Sequence, residues 1–172
     1  LKNVLSALSI IDQIKEIEVA EFLPFLSDLN GIERRMNIYK IDDKIIIDDY
    51  AHHPTEIESV LNTINSNYKN KSTSVIFQPH LFSRTRDFME DFATVLSKFD
   101  EVYLLEIYPA REKPIEGVSS KVLLEKISSE KKEIINKELI NDIIINSKTE
   151  VISILGAGNI TENLNKKIFT NG

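Results

Sequence analysis

The sequence predicts an α/β fold: a doubly wound, mostly parallel sheet with an antiparallel hairpin at its N-terminal edge. Short β-rich apolar runs alternate with helical patterns along most of the chain, the order of elements that builds a parallel sheet covered on both faces. Several of the helical patterns open on proline, serine or a glycine turn, residues that begin helices. Two early runs are separated only by Asp42-Asp43, a tight polar turn consistent with a hairpin.

Taken in order, Asn3 to Ile14 carries Val4, Leu5, Leu8 and Ile11 at helical spacing, and a second helix reads from about Val19 to Leu29, ended by Asn30-Gly31. Arg35 to Ile41 and Lys44 to Asp49 are the hairpin strands. Pro54 suits a first helical turn, where its missing N–H costs nothing, and Ile57, Val60, Leu61 and Ile64 form the buried stripe behind it. Thr73 to Gln78 is the next strand. Ser83 is an N-cap candidate for a helix lined by Phe88, Phe92, Val95 and Leu96, and Glu101 to Ile107 is a strand. After a loop with Pro109, Pro114 and Gly117, a helix starts at Ser119 or Ser120 and runs through Ile127. A solvated turn over Ser128 to Lys132 leads to a short strand near Glu133 to Ile135 and a helix from Glu138 to Ile145. Val151 to Leu155 is the last buried strand, and Gly156-Ala157-Gly158 turns it into a helix from Ile160 to about Ile168.

Composition narrows the function classes. The chain has 172 residues, 42% apolar and 28% charged, ordinary for a soluble globular protein; one domain is the default count. A formal charge of −6 argues against a nucleic-acid or anionic-membrane surface, which needs clustered Lys and Arg. Cysteine is absent, so disulfides and thiolate zinc sites are excluded, and the absence fits a reducing compartment. No apolar run approaches the roughly 18 residues of a membrane span. The sequence opens at Leu1 rather than Met, so a natural start is not expected there.

The polar residues of interest fall at the carboxyl ends of predicted strands, where open α/β sheets bind ligands. Asp48, Asp49, Tyr50, His52 and His53 follow one strand; Gln78, His80, Arg84 and Arg86 follow the next. All three histidines of the chain lie in these two loops. The plain alternative is that His52 and His53 cap the following helix and His80 fills a surface turn. A hydrolytic metal site is a further reading, weakened because adjacent histidines rarely face one ion and no HExxH spacing occurs. Arg84 and Arg86 near a helix start, with free backbone amides beside them, suit a carboxylate or phosphate, so an acidic small molecule fits better. For Arg86 a surface pair with Asp87 or Glu90 is an equal reading. LGAGNI, Leu155 to Ile160, lacks a full GxGxxG and follows the last strand, so it reads as tight strand-to-helix packing. No GxxxxGK[ST] occurs, so this chain alone should not hold and cleave ATP in the P-loop manner.

NVLSALS near the start, GIERR at Gly31 to Arg35, DDYAHHPTE at Asp48 to Glu56, FQPHLFSRTRD at Phe77 to Asp87, YPAREKPIEG at Tyr108 to Gly117 and LGAGNI occur in an order that resembles the Mur ligases. Within them the pattern is most similar to the branch that joins L-alanine to UDP-N-acetylmuramate. The resemblance implies three domains, of which this chain would hold only the C-terminal, Rossmann-like one over residues 31–172, preceded by terminal helices and linker of the central domain over residues 1–30. The N-terminal and central domains, with the P-loop, would lie elsewhere in the same protein. It also implies a bacterial, cytoplasmic enzyme of peptidoglycan precursor synthesis that uses ATP and Mg2+, neither held by this domain alone, with no nucleic-acid or membrane partner. ATP would phosphorylate the lactyl carboxylate, and the alanine amine would displace phosphate from the acyl phosphate. The isolated domain would be inactive.

By the same resemblance, Arg35 would reach the ATP phosphates, Asp49 would accept from the ribose hydroxyls and Asn3 would be a weak adenine contact. Tyr50, His52, His80 and Arg84, with possible help from Arg86, would form the L-alanine site, with Arg84 on the carboxylate. His53 would support the loop. His52 and His80 are both candidates for the base that receives the ammonium proton, and no metal ligand is assigned. The sequence departs from the family pattern at Leu81, where many relatives carry arginine, and at Ser6, which replaces an amide in the HNxxN pattern of the opening helix. Three rivals remain open: a murein-peptide ligase of the same superfamily, a non-catalytic module that binds small anions, and a metal hydrolase.

Overall fold

The structure, a computed structural model, describes residues 2–14, 18–24, 33–162, 164 and 170–171. It divides into two compact units, Leu1–Glu33 and Arg34–Gly172. The first unit contains helix α1, Lys2–Ile11, which carries Asn3, and a 3-10 turn at Val19–Glu21. The second predicted helix does not form over the described part of its range. Pro24 lacks the N–H that would bond back to Ala20, so a helix begun at Val19 cannot propagate through it; residues 25–29 lie outside the described residues.

The second unit is a seven-stranded sheet with helices on both faces. Its strands are β1 Asn37–Ile41, β2 Lys44–Asp49, β3 Thr73–Phe77, β4 Glu101–Leu104, β5 Lys131–Ile134, β6 Val151–Leu155 and β7 Thr170–Asn171, in spatial order β5-β4-β3-β6-β2-β1-β7. The strands from β5 to β2 are parallel to one another, and β1 is antiparallel to both β2 and β7. The predicted hairpin is present, turning at Asp42 with a left-handed φ of 51°. It is not the edge, however, because the two-residue β7 adds outside β1.

The central strands are buried on both faces, and their alternating side chains separate two cores. Ile45, Ile47, Val75, Phe77, Val102 and Leu104 pack under α2 (Pro54–Asn67), α4 (Met89–Leu96) and α5 (Ser120–Lys126). On the other face Ile46, Ile76, Tyr103, Ile152 and Ile154 pack with Ile140 and Ile144 of α6, Ile140–Asn146. Such buried strands read as continuous apolar runs, which is why they were visible in the sequence. Phe77 and Phe92, both fully buried with ring centroids 5.4 Å apart, join strand to helix in the first core.

Several predicted elements change in detail. The single helix expected from Ser83 is two, α3 Phe82–Asp87 and α4, broken at Phe88, whose ring packs edge-on against His53 at 4.5 Å. Ser83 is not the N-cap; Leu81 is, at a left-handed φ of 73°. A leucine there costs on the order of 1–3 kcal/mol. It is held because its N–H donates to the Tyr108 carbonyl at 2.9 Å while its carbonyl accepts from Thr85 N at 3.1 Å and Thr85 Oγ1 at 2.8 Å. β4 ends at Leu104 rather than Ile107, since β5 reaches only to Ile134 beside it. Ser128 to Lys132 is not wholly a solvated turn: Ser129 is buried with its hydroxyl on the Phe99 carbonyl, and Lys131 already belongs to β5. Residues 160–162 form a turn rather than the start of a helix, and most of the remaining predicted helix lies outside the described residues.

Candidate active site

The carboxyl ends of β2, β6 and β3 are level, with Asp49 and Phe77 both opposite Leu155. The chain leaves β6 through Gly156-Ala157-Gly158, so this turn lies between the two histidine loops. Gly156 has φ +146°, and a Cβ there would stand 2.9 Å from the Gln78 carbonyl; at Gly158 a Cβ would meet Gln78 Oε1 at 2.5 Å and Tyr108 Cγ at 3.0 Å. Only glycine allows the loops to close this tightly. This is the packing role expected of LGAGNI.

Arg34, which sequence reading passed over, fastens the arrangement. Its Nε donates to Asp48 Oδ1 at 3.2 Å, its Nη1 to the Gly158 carbonyl at 2.6 Å and its Nη2 to the Gly156 carbonyl. Beside it, Asp49 is buried and accepts backbone N–H groups with both oxygens, Met36 at 2.7 Å and Ala51 at 2.7 Å, while Tyr50 N donates to the Arg34 carbonyl at 2.7 Å. Left-handed residues at Arg34 and Met36 flank Arg35 in this turn. Arg35 and Asp49 therefore share one shallow cavity of about 190 Å³, completed by Glu56, Ser59 and Thr63 of α2.

Next to this cavity Tyr50, His52, His80 and Arg84 come together. Tyr50 is part-exposed, with the Arg34 and Arg35 guanidinium carbons 5.5 and 5.6 Å from its ring centroid and the His52 ring edge-on at 5.3 Å. His52 faces His80 at 5.9 Å between centroids. His80 stacks on Tyr108 at 5.5 Å and 14°, because the chain after β4 runs back alongside Pro79 to Leu81 as an isolated parallel bridge. Arg84 Nη1 donates to His80 Nδ1 at 3.3 Å and to the His80 carbonyl at 3.3 Å. Burial, then the Arg84 guanidinium and then His52, push His80 below the ordinary histidine value; Glu112 pulls weakly the other way.

His53 stands apart as the N-cap residue of α2. Its Nδ1 accepts from Thr55 N at 3.4 Å, and Glu56 Oε2 closes the capping box on His53 N at 3.1 Å. The same oxygen accepts His52 N at 2.9 Å. Such a box is worth about 1 kcal/mol to the helix.

At the start of α3 one expectation is corrected, and of the two readings of Arg86 the surface pair is the one present. The backbone amide at Ser83 is not free: Glu112 Oε2 accepts it at 2.9 Å while Glu112 Oε1 accepts the Ser83 hydroxyl at 2.5 Å. These Ser83 bonds hold the Glu112 carboxyl below its usual range. A loop carboxylate has already taken the two Ser83 donors. Arg86 is not drawn into the cluster either; its side chain is 55% exposed and its Nη2 pairs with Asp87 at 2.8 Å, the surface reading. Besides Arg34, sequence reading also missed Tyr108 and Glu112 as site residues, although YPAREKPIEG had marked their segment.

Comparison with known proteins identifies the family. Residues 34–158 match the family described as Mur ligase, glutamate ligase domain. The chain belongs to the Mur ligase family. As a Mur ligase C-terminal domain it is 52% identical over 143 residues to the UDP-N-acetylmuramate–L-alanine ligase of Christiangramia forsetii, a match covering 82% of this chain and 31% of the relative. It is 46% identical over 138 residues to the ligase of the same name from Flavobacterium psychrophilum, covering 80% of this chain and 31% of that one. The crystal structure of the UDP-N-acetylmuramate–alanine ligase of Thermotoga maritima superposes with a TM-score of 0.67 at 27% identity, over 94% of this chain and 36% of that one. The chain thus spans about a third of the length of these Mur ligases. Among the described residues no group of three or more His, Asp or Glu is disposed to hold a metal ion, and no helix is long and apolar enough to cross a membrane.

Proposed function

We propose that this domain serves an ATP-dependent cytoplasmic ligase that joins L-alanine to UDP-N-acetylmuramate through an acyl phosphate. The observation that carries the reading is the run of contacts that gathers Tyr50, His52, His80 and Arg84, with Arg35 and Asp49 sharing a cavity beside it. The first group suits a small amino acid: a guanidinium for its carboxylate and imidazoles for its amine. The second suits a nucleotide, with a guanidinium for phosphate and a carboxylate for a diol. Asp49 already holds two backbone amides, so a ribose hydroxyl would use its remaining lone pairs. Arg86 is left out of the alanine site because Asp87 engages it.

Residues 1–30, including Asn3, belong in this reading to the end of the central domain, and the P-loop and UDP-sugar site to parts of the protein outside this chain. Magnesium would accompany the ATP phosphates there. The domain's own contribution is to position alanine and exclude water from a hydrolysable intermediate.

The test is phosphate release by the full-length protein with ATP and UDP-N-acetylmuramate, offered either L-alanine or a tripeptide. Alanine-dependent turnover is expected, with none from this chain alone. Tripeptide use without alanine use would assign the murein-peptide ligase instead, and turnover with neither would leave the small-anion module.

A further inference from the structure

The two facing imidazoles have partners of opposite kinds. His52 Nδ1 lies 2.9 Å from the Tyr50 carbonyl and 3.3 Å from Glu56 Oε2, both of which can only accept. That nitrogen must therefore carry the proton, and in the neutral ring Nε2 is bare. His80 Nδ1 lies 3.3 Å from Arg84 Nη1, which can only donate, so Nδ1 is bare and Nε2 carries the proton. The geometry points to a division of labour: His52 Nε2 takes the proton from the alanine ammonium, His80 Nε2–H donates a hydrogen bond to the substrate, and Glu56 positions the base.

This rests on the alanine-ligase reading and deepens it. One ammonium proton passes to His52 Nε2, and the freed nitrogen lone pair forms the C–N bond to the acyl phosphate carbon. The C–O bond to phosphate breaks with its electron pair, and the second N–H proton leaves with the phosphate. Glu56 is well placed for its part because Oε2 is fixed by the His52 and His53 amides as the α2 cap. A carboxylate behind the distal nitrogen stabilises the imidazolium once formed, as the aspartate does in a serine-protease triad. The groups facing His52 are Tyr50, Glu56 and His80; those facing His80 are His52, Arg84, Tyr108 and Glu112. A cationic neighbour on His80 alone fits a ring kept neutral as a donor.

The experiment uses the full-length protein and the pH dependence of kcat/KM for alanine, with acyl phosphate trapped separately as a hydroxamate. His52→Gln is expected to lower kcat/KM about 100-fold or more and remove the acid limb, with hydroxamate still formed. His80→Gln is expected to raise KM and keep that limb. Glu56→Gln retains an oxygen for the two backbone amides, so helix content and the alanine KM should persist while kcat falls. Nitrogen-15 spectra of the histidine rings should show the proton on Nδ1 of His52 and on Nε2 of His80. An acid limb lost with His80 rather than His52, an unchanged kcat in Glu56→Gln, or the reverse tautomers would overturn the inference. Wild-type protein that forms no hydroxamate and uses no alanine would instead overturn the ligase reading.

Discussion

Arg34 Nε donates to Asp48 Oδ1 at 3.2 Å, and the same guanidinium spans to the carbonyls of Gly156 and Gly158. The pair is well shielded, with side-chain exposures of 16% for Arg34 and 4% for Asp48, so water screens it little. A planar fork can serve all of these acceptors, whereas an ammonium cannot. Arg34→Lys is expected to lower unfolding stability by about 2–3 kcal/mol in urea titrations. A loss below about 0.5 kcal/mol would show that the fork does not hold the two loops together.

Glu112 gives a pH dependence whose sign can be worked out. Its bonds to Ser83 lower its folded pKa, so the folded state binds the proton less readily than the unfolded chain. The stabilisation is fully present above the unfolded value and is lost as pH falls through the folded one. The difference in thermal midpoint between wild type and Glu112→Gln should be constant near neutrality and shrink as pH drops below about 4.5. A difference that stays flat into acid would contradict the assigned bonds.

The neighbouring arginines separate cleanly. Arg84 bonds to His80 inside the site, and Arg86 pairs with Asp87 on the surface. In the full-length protein Arg84→Ala should raise the alanine KM by about 10–100-fold, the worth of hydrogen bonds to a charged group. Arg86→Ala should change it less than about twofold. Weakened ATP binding with unchanged alanine kinetics in Arg84→Ala would mean that this guanidinium serves the nucleotide.

What could be read in advance were features written in local sequence. Lys44 to Asp49, Pro54 with its stripe of Ile57 to Ile64, and Val151 to Leu155 announce themselves by composition and spacing. The grouping of His52 with His80 was legible because both follow strands, and strand ends meet at one crest. Arg34 was not, because its acceptors on Gly156 and Gly158 lie 122 and 124 residues away. Glu112 was missed for a similar reason: its partner Ser83 is 29 residues distant, and in local terms Ser83 looks like an ordinary cap. The break at Phe88 is likewise tertiary, since the ring leaves the helix to pack on His53. The helix expected at Val19 failed on a local signal, Pro24, that the apolar spacing outweighed.

The position of β6 has a consequence for how the site comes into being. β2 and β3 pair with β6 and not with each other. A growing chain that has already produced both histidine loops still lacks the strand that sets them side by side. Non-local parallel pairings are the slow part of folding, since loop closure must come first. The facing imidazoles should therefore meet only after Val151–Leu155 has been synthesised and inserted, and a chain truncated before it should have every nominated alanine-binding residue and no binding cleft.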